Sequence, residues 1–150
     1  MITQLSKDFY LHEFTRSQTA ARMGREIVPT AVETGALAQL CIHVLQPLRD
    51  AIGVTITVTS GLRPAWLNPL IGGSKTSQHM KGEAADIVAQ GFTPMALCEE
   101  IIRLELPFDQ LIAEFDQWSH VSYSDRSRGQ VLTARVVEGK TVYLPGLVPK

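Results

Sequence analysis

Two of the chain's four histidines stand in settings where an imidazole could do chemistry. His79 lies in the run Ser77-Gln78-His79-Met80-Lys81-Gly82-Glu83-Ala84-Ala85-Asp86, seven positions before a carboxylate and on the far side of a glycine from it. On an unbroken strand an odd offset sends two side chains to opposite faces. His79 and Asp86 therefore converge only if the chain turns between them, and Gly82 is the residue that permits it. His120 lies in Trp118-Ser119-His120-Val121-Ser122-Tyr123, where alternation puts Trp118, His120 and Ser122 on one face and Val121 and Tyr123 on the other. His79, Asp86 and His120 together offer two nitrogens and one oxygen, the three-ligand set of a catalytic zinc that keeps its fourth position for water. A structural zinc site would fill all four positions with Cys and His, and neither cysteine lies near the pattern. On spacing alone the same three also read as a loop histidine, a histidine at the edge of the core and a surface aspartate.

The elements that must position these residues follow from periodicity. Leu37, Leu40, Cys41, Val44, Leu45, Leu48 and Ile52 recur on one face of a helix from about Thr34 to Ile52, stopped by Gly53. Pro47 inside it has no N–H for the carbonyl of His43, which predicts a kink, and His43 itself points off the apolar stripe toward the surface. Val54, Ile56 and Val58 alternating with threonines predict a half-buried strand. A loop rich in Gly, Ser and Pro follows from Gly61 to Gln78, and a segment of that length in a compact domain is usually functional or disordered. A strand over Ala84–Val88, a helix capped by Thr93 before Pro94 and closed by Pro107, and strands over Asp109–Phe115 and Trp118–Ser124 come next. Val131–Val137 and Thr141–Leu144 read as a hairpin. At the start, Phe9, Leu11 and Phe14 are apolar anchors, and Thr15 with Gln18 resembles a capping box for a short helix ending near Gly24.

With 150 residues, 45% hydrophobic and 19% charged, the chain is one domain with a core sufficient to fold without a disulfide or structural metal. Cys41 and Cys98 sit on apolar helix faces and are expected in the core, a bridge between them being the minor alternative. Fourteen basic against fifteen acidic residues give no general attraction for nucleic acid or an anionic membrane. No apolar run approaches the ~20 residues a membrane span needs, and Lys7, Asp8, His12 and Glu13 interrupt any signal-like segment. The expectation is a chain made in the cytoplasm without a signal peptide, acting as a monomer.

The stretch from Thr59-Ser60-Gly61-Leu62-Arg63 through Asn68, continuing from Ile71 through His79 to Asp86, closely resembles the zinc D-Ala-D-Ala peptidase family M15. More narrowly it is similar to the short, phage-associated branch of peptidoglycan peptidases. Phe108–Ile112, Glu114, Phe115 and Trp118–Tyr123 carry the same likeness, as do the opening Leu11–Ala20 and the ending Gly139–Gly146. The resemblance implies that His79, Asp86 and His120 hold Zn2+. It implies that Arg63 faces the scissile carbonyl, where a guanidinium that keeps its charge stabilises an oxyanion, and that Ser77 hydrogen-bonds the substrate backbone. Several family members place the general base three residues before the last histidine. Here that position is Gln117, which cannot exchange protons. The carboxylates nearby are Glu114 and Asp116, and Glu114 is preferred because it alternates with apolar neighbours at the edge of the site, where desolvation raises its pKa.

The fold implied is α+β, of the hedgehog/DD-peptidase type, a small antiparallel sheet with helices packed on one side. The implied function is hydrolysis of an amide bond in peptidoglycan stem peptides, by a single catalytic domain over residues 1–150 with no separate wall-binding module. The competing reading is a non-catalytic binding module on the same metal-binding scaffold, which Gln117 keeps open. Because the substrate lies outside the cytoplasmic membrane, release through a phage holin or carriage in a virion would bring the enzyme to it.

Overall fold

The computed structural model describes residues 2–150. A two-stranded antiparallel ribbon, β1 (Gln4–Ser6) and β2 (Phe9–Tyr10), leads into a single 3-10 turn that buries Phe14, and then into α1 (Gln18–Arg22). Here the expected cap moves: Ser17, not Thr15, is the N-cap, its hydroxyl accepting from the N–H of Ala20 at 3.2 Å. The long helix begins earlier than its apolar stripe suggests. α2 (Ala31–Leu40) is opened by Thr30, which accepts from Glu33 N while the Glu33 carboxylate accepts from Thr30 N, a reciprocal cap written as Thr-x-x-Glu. The interruption expected at Pro47 takes the form of a widened π turn over Cys41–Leu45, in which Gln46 N–H reaches back five residues to the carbonyl of Cys41. This shifts the register just ahead of the residue that cannot donate, and α3 (Gln46–Ile52) resumes and ends on Gly53. His43 is half-buried, stacked on Tyr123 with ring centroids 4.6 Å apart.

The main sheet has six strands, β3 (Ile56–Ser60), β4 (Ala84–Ala89), β5 (Gln110–Glu114), β6 (Trp118–Ser122), β7 (Gln130–Val137) and β8 (Lys140–Pro145), in the order β3-β4-β6-β5-β7-β8. The sheet is mixed rather than antiparallel throughout, because β7 pairs parallel to β5. The hairpins β5–β6 and β7–β8 are local and legible in sequence. The parallel pairing depends on residues 123–129 carrying the chain back to the start of β5, where Gln130 N–H donates to the carbonyl of Asp109 at 3.0 Å. Helix α4 (Pro94–Arg103), capped by Thr93 as expected, packs Leu97, Cys98 and Ile101 against the sheet.

Cross-strand register sorts the sheet into two faces. Ala85 opposes Val121, Ile87 opposes Ser119, and Leu111 and Ala113 oppose Val121 and Ser119, all of them buried. This apolar face includes Ser119, whose hydroxyl donates to the carbonyl of Pro94 at the start of α4. The other face carries Asp86 opposite His120, Ile112 opposite His120, and Glu114 opposite Trp118. The helix-covered face thus supplies burial, at roughly 1.5–3 kcal/mol for each large apolar side chain, and leaves the opposite face free for polar residues. Both cysteines are buried and free, and burial pushes the Cys98 thiol up to about 12, so neither is a reactive thiolate.

Gly82 makes the turn that the His79–Asp86 spacing requires. It closes the 3-10 turn Gln78–Lys81 with a left-handed φ of 73°, two residues before β4 begins. A Cβ there would also lie 2.7 Å from the carbonyl oxygen of Glu33 in α2. Gly82→Ala is therefore expected to destabilise the fold by about 2 kcal/mol or more, read as a fall in Tm, from an unfavourable φ and backbone overlap together.

Candidate metal centre and cleft

The three expected ligands come from three separate pieces of chain. His79 is held on the 3-10 turn Gln78–Lys81, which Ser77 caps by accepting from His79 N at 3.2 Å. Asp86 and His120 face each other directly across β4 and β6. One donor atom from each of the three lies within 4.8 Å of the others, and all three residues are buried. His79 Nε2 is 3.2 Å and His120 Nδ1 3.1 Å from the same oxygen, Asp86 Oδ1.

His79 Nδ1 lies 2.8 Å from the carbonyl of Gly61, which as an acceptor fixes the tautomer with the proton on Nδ1 and presents Nε2 bare to the site. Gly61 can do this because it runs against the backbone of Phe14, where a Cβ would sit 2.5 Å from the carbonyl oxygen. Burial alone would raise the Asp86 carboxyl, but the two imidazoles beside it outweigh that and hold it below the usual carboxylate range. An anionic oxygen, an oriented imidazole and a second imidazole converging on one point fit a borderline-soft divalent ion such as zinc.

These ligands open on a cleft of about 710 Å³, within the size range of ligand sites, lined among others by Arg63, Ser77, Glu114, Trp118 and Tyr143. Glu114, at the end of β5, places Oε1 3.6 Å from His120 Nδ1. Burial, with the neighbouring Asp86 charge, raises its carboxyl above the ordinary glutamate value against the opposing pull of His120 and Arg63. Arg63 is tied at its backbone N–H to the carbonyl of His79 at 2.9 Å, and its Nε is buried without a partner among the described residues. Its pKa is lowered by burial, against the attraction of Asp86 and Glu114. Ser77 lines the same cleft. Its oxygen is engaged in capping, which leaves the hydroxyl proton to donate outward.

Asp116 is placed apart from this group. Phe115 and Asp116 make the β5–β6 turn with φ of 56° and 54°, a left-handed conformation that costs about 1–3 kcal/mol for each residue without glycine's freedom. In it Asp116 is 55% exposed and its carboxylate meets Lys150 Nζ at 2.9 Å, outside the cleft lining. Gln117 lies in the same turn, its N–H donating to the carbonyl of Glu114.

The structure also shows a cluster that sequence reasoning missed. Asp109, fully buried, takes Arg128 N and Nε on Oδ1, each at 3.0 Å. Its Oδ2 takes Gln78 Nε2 at 2.9 Å, Arg128 Nη2 at 3.0 Å and Arg126 Nη2 at 3.1 Å. The partners come from segments far apart in the chain, so no local spacing signals them. Gln78 immediately precedes His79, which ties the cluster to the candidate metal centre.

Burial alone would raise the Asp109 carboxyl, but the bonds from Arg128 and Gln78 hold it well below the usual range. A carboxyl depressed in the folded state contributes stability that is fully present above its unfolded pKa of ~3.9 and is lost as pH falls through its folded value. Asp109→Asn is expected to cost about 2 kcal/mol at neutral pH, a buried-pair loss discounted because the arginines reach solvent. In thermal melts the gap from wild type should narrow progressively as pH drops below about 3.9. A gap that stays constant across that range would contradict the assignment.

Comparison with known proteins places the chain in a family. A Peptidase M15 family model matches residues 7–122, which contain the three donors, Arg63, Ser77 and Glu114. A curated relative, the zinc D-Ala-D-Ala carboxypeptidase of Streptomyces albus G, is 40% identical over 70 residues. The match takes in 45% of this chain and 28% of that protein, so the chain spans well under half of its relative's length. With more than half of its residues matched by the family model, the chain belongs to the peptidase M15 family.

Proposed function

We propose that this protein is a zinc peptidase that hydrolyses an amide bond in peptidoglycan stem peptides, as a D-Ala-D-Ala carboxypeptidase or a cross-link endopeptidase. The observation that carries the reading is the convergence of His79, Asp86 and His120 on one point of an open cleft, with Glu114 beside the last of them. The α+β arrangement, with its site on the sheet face away from α4, supports a fold of the hedgehog/DD-peptidase type. All the residues needed lie in one chain, in keeping with a monomer, and the proposed site of action is the cell wall.

Zinc, when bound by this set, polarises the scissile carbonyl and lowers the pKa of water to ~7. Every other part of the chemistry belongs to the side chains. Glu114 is the general base: it accepts the proton of the attacking water and returns it to the amine that leaves. Its burial favours the role, because a raised pKa brings the carboxylate closer to the pH at which it must both take and give a proton. Arg63 keeps its charge in the cleft wall and stabilises the oxyanion as it develops. Ser77 donates its free hydroxyl proton to a backbone carbonyl of the peptide and so sets its register. Gly61 acts through His79, whose ring it orients.

The test is the release of new amine from purified stem peptides. The zinc-loaded protein is expected to release it, to stop after dialysis against a chelator, and to resume when zinc is restored. Release that continues unchanged in the dialysed protein would overturn the reading.

A further inference from the structure

At the end of the cleft away from Glu114, the lining carries arginines and no carboxylate. The carboxylates that line the cleft, Asp86 and Glu114, belong to the metal end, whereas Arg126 and Arg128 line the end where β5 begins. Both arginines are fixed by Asp109, whose single buried charge faces two guanidinium groups. Glu83 is the other carboxylate nearby. It accepts from Gln78 Nε2 at 3.2 Å and does not line the cleft.

Among the described residues, Arg126 engages only Nη2 with Asp109, leaving Nε and Nη1 free. Arg128 engages Nε and Nη2 with Asp109, and its Nη1 meets Gln130 Oε1 only at 3.5 Å. Their side chains remain 56% and 38% exposed, so the free N–H groups are reachable from solvent. Two anchored guanidinium groups with unspent donors are a preorganised receptor for a carboxylate.

We propose that Arg126 and Arg128, held on the buried carboxylate of Asp109, form an anion subsite for a carboxylate that the peptide substrate carries two to three residues from the scissile amide. The spacing follows from the sheet. His120 opposes Ile112, and Asp109 lies three residues before Ile112. At about 3.3 Å per residue the subsite lies roughly 10 Å from the metal position, the reach of about three extended residues. A carboxylate adjacent to the scissile bond would fall short of it. The proposal rests on the peptide-hydrolase reading and sharpens its substrate class.

The experiment measures binding separately from turnover. The zinc-loaded Glu114→Gln protein is titrated with the stem peptide L-Ala-γ-D-Glu-L-Lys-D-Ala-D-Ala, with its D-isoglutamine form, and with its C-terminal amide. The D-isoglutamine form, which lacks the carboxylate three residues before the D-Ala-D-Ala amide, is expected to bind roughly tenfold or more weakly, the size of a charge-assisted hydrogen bond lost. The C-terminal amide, whose missing carboxylate adjoins that bond, should bind nearly as the acid does, and a loss confined to it would overturn the subsite. Adding Arg126→Gln or Arg128→Gln to that background should bring the acid and D-isoglutamine peptides to nearly equal affinity. Arg126→Gln removes a single exposed bond and serves if Arg128→Gln fails to fold. Equal acid and D-isoglutamine affinities before the arginine changes, or a preference that survives both of them, would overturn the subsite. An arginine-dependent preference in a protein whose wild type hydrolyses none of these peptides would keep the subsite and reject the peptidase. Hydrolysis with no such preference would do the reverse.

Discussion

His79→Ala is expected to empty the metal site and with it to abolish peptide hydrolysis. The substitution removes one of three donors that lie within 4.8 Å of one another, and the two that remain cannot present a three-sided set. Even a residue that only hydrogen-bonds a metal ligand typically changes affinity about 10–100-fold when lost, so the loss of a ligand should exceed about a hundredfold in zinc affinity. The ring is 1% exposed and gives its Nδ1 proton to the Gly61 carbonyl, so about 1–3 kcal/mol of stability should go as well. Zinc content and Tm measured on the same sample separate the two effects. Full zinc occupancy in a folded His79→Ala protein that still cleaves its substrate would remove His79 from the site.

Glu114→Gln should leave the metal in place and remove the proton transfer. The amide has the shape of the carboxylate and cannot take a proton from water, so kcat should fall roughly 10²–10⁴-fold while zinc content and KM change little. This variant also distinguishes an enzyme from a binding module, which would keep its function. Asp116→Asn is the natural control. The Asp116 carboxylate is paired with Lys150 on the surface, and its loss should leave kcat unaltered. The opposite pattern, turnover kept in Glu114→Gln and lost in Asp116→Asn, would show that the base had been assigned to the wrong carboxylate.

The convergence of His79, Asp86 and His120 is the most legible feature of the chain, for a physical reason. His79 and Asp86 are close in sequence and separated by a glycine that can only be read as a turn, while His120 sits in a strand whose alternation fixes its face. The place of Glu114 at the cleft wall is legible in the same way, through its apolar neighbours on β5. Thr30 carries a local signal as well, since Thr-x-x-Glu ahead of an apolar stripe marks a helix start earlier than the stripe itself does.

Other features depend on contacts between distant segments. The parallel pairing of β7 with β5 is set by a return of the chain that no periodicity encodes. The burial of Asp109 is set by Gln78, Arg126 and Arg128, each ordinary in its own neighbourhood. His43 looked like a surface residue because its partner, Tyr123, lies eighty positions away.

Metal-dependent hydrolysis of a peptidoglycan amide can be read from the masses of muropeptides before and after digestion. Purified cell-wall peptides are digested with the zinc-loaded protein, with the chelated protein, and with the chelated protein after zinc is restored. Product pairs whose masses sum to the substrate plus one water are expected in the first and third digests and not in the second. Unchanged muropeptides in all three, or the same products in all three, would contradict it.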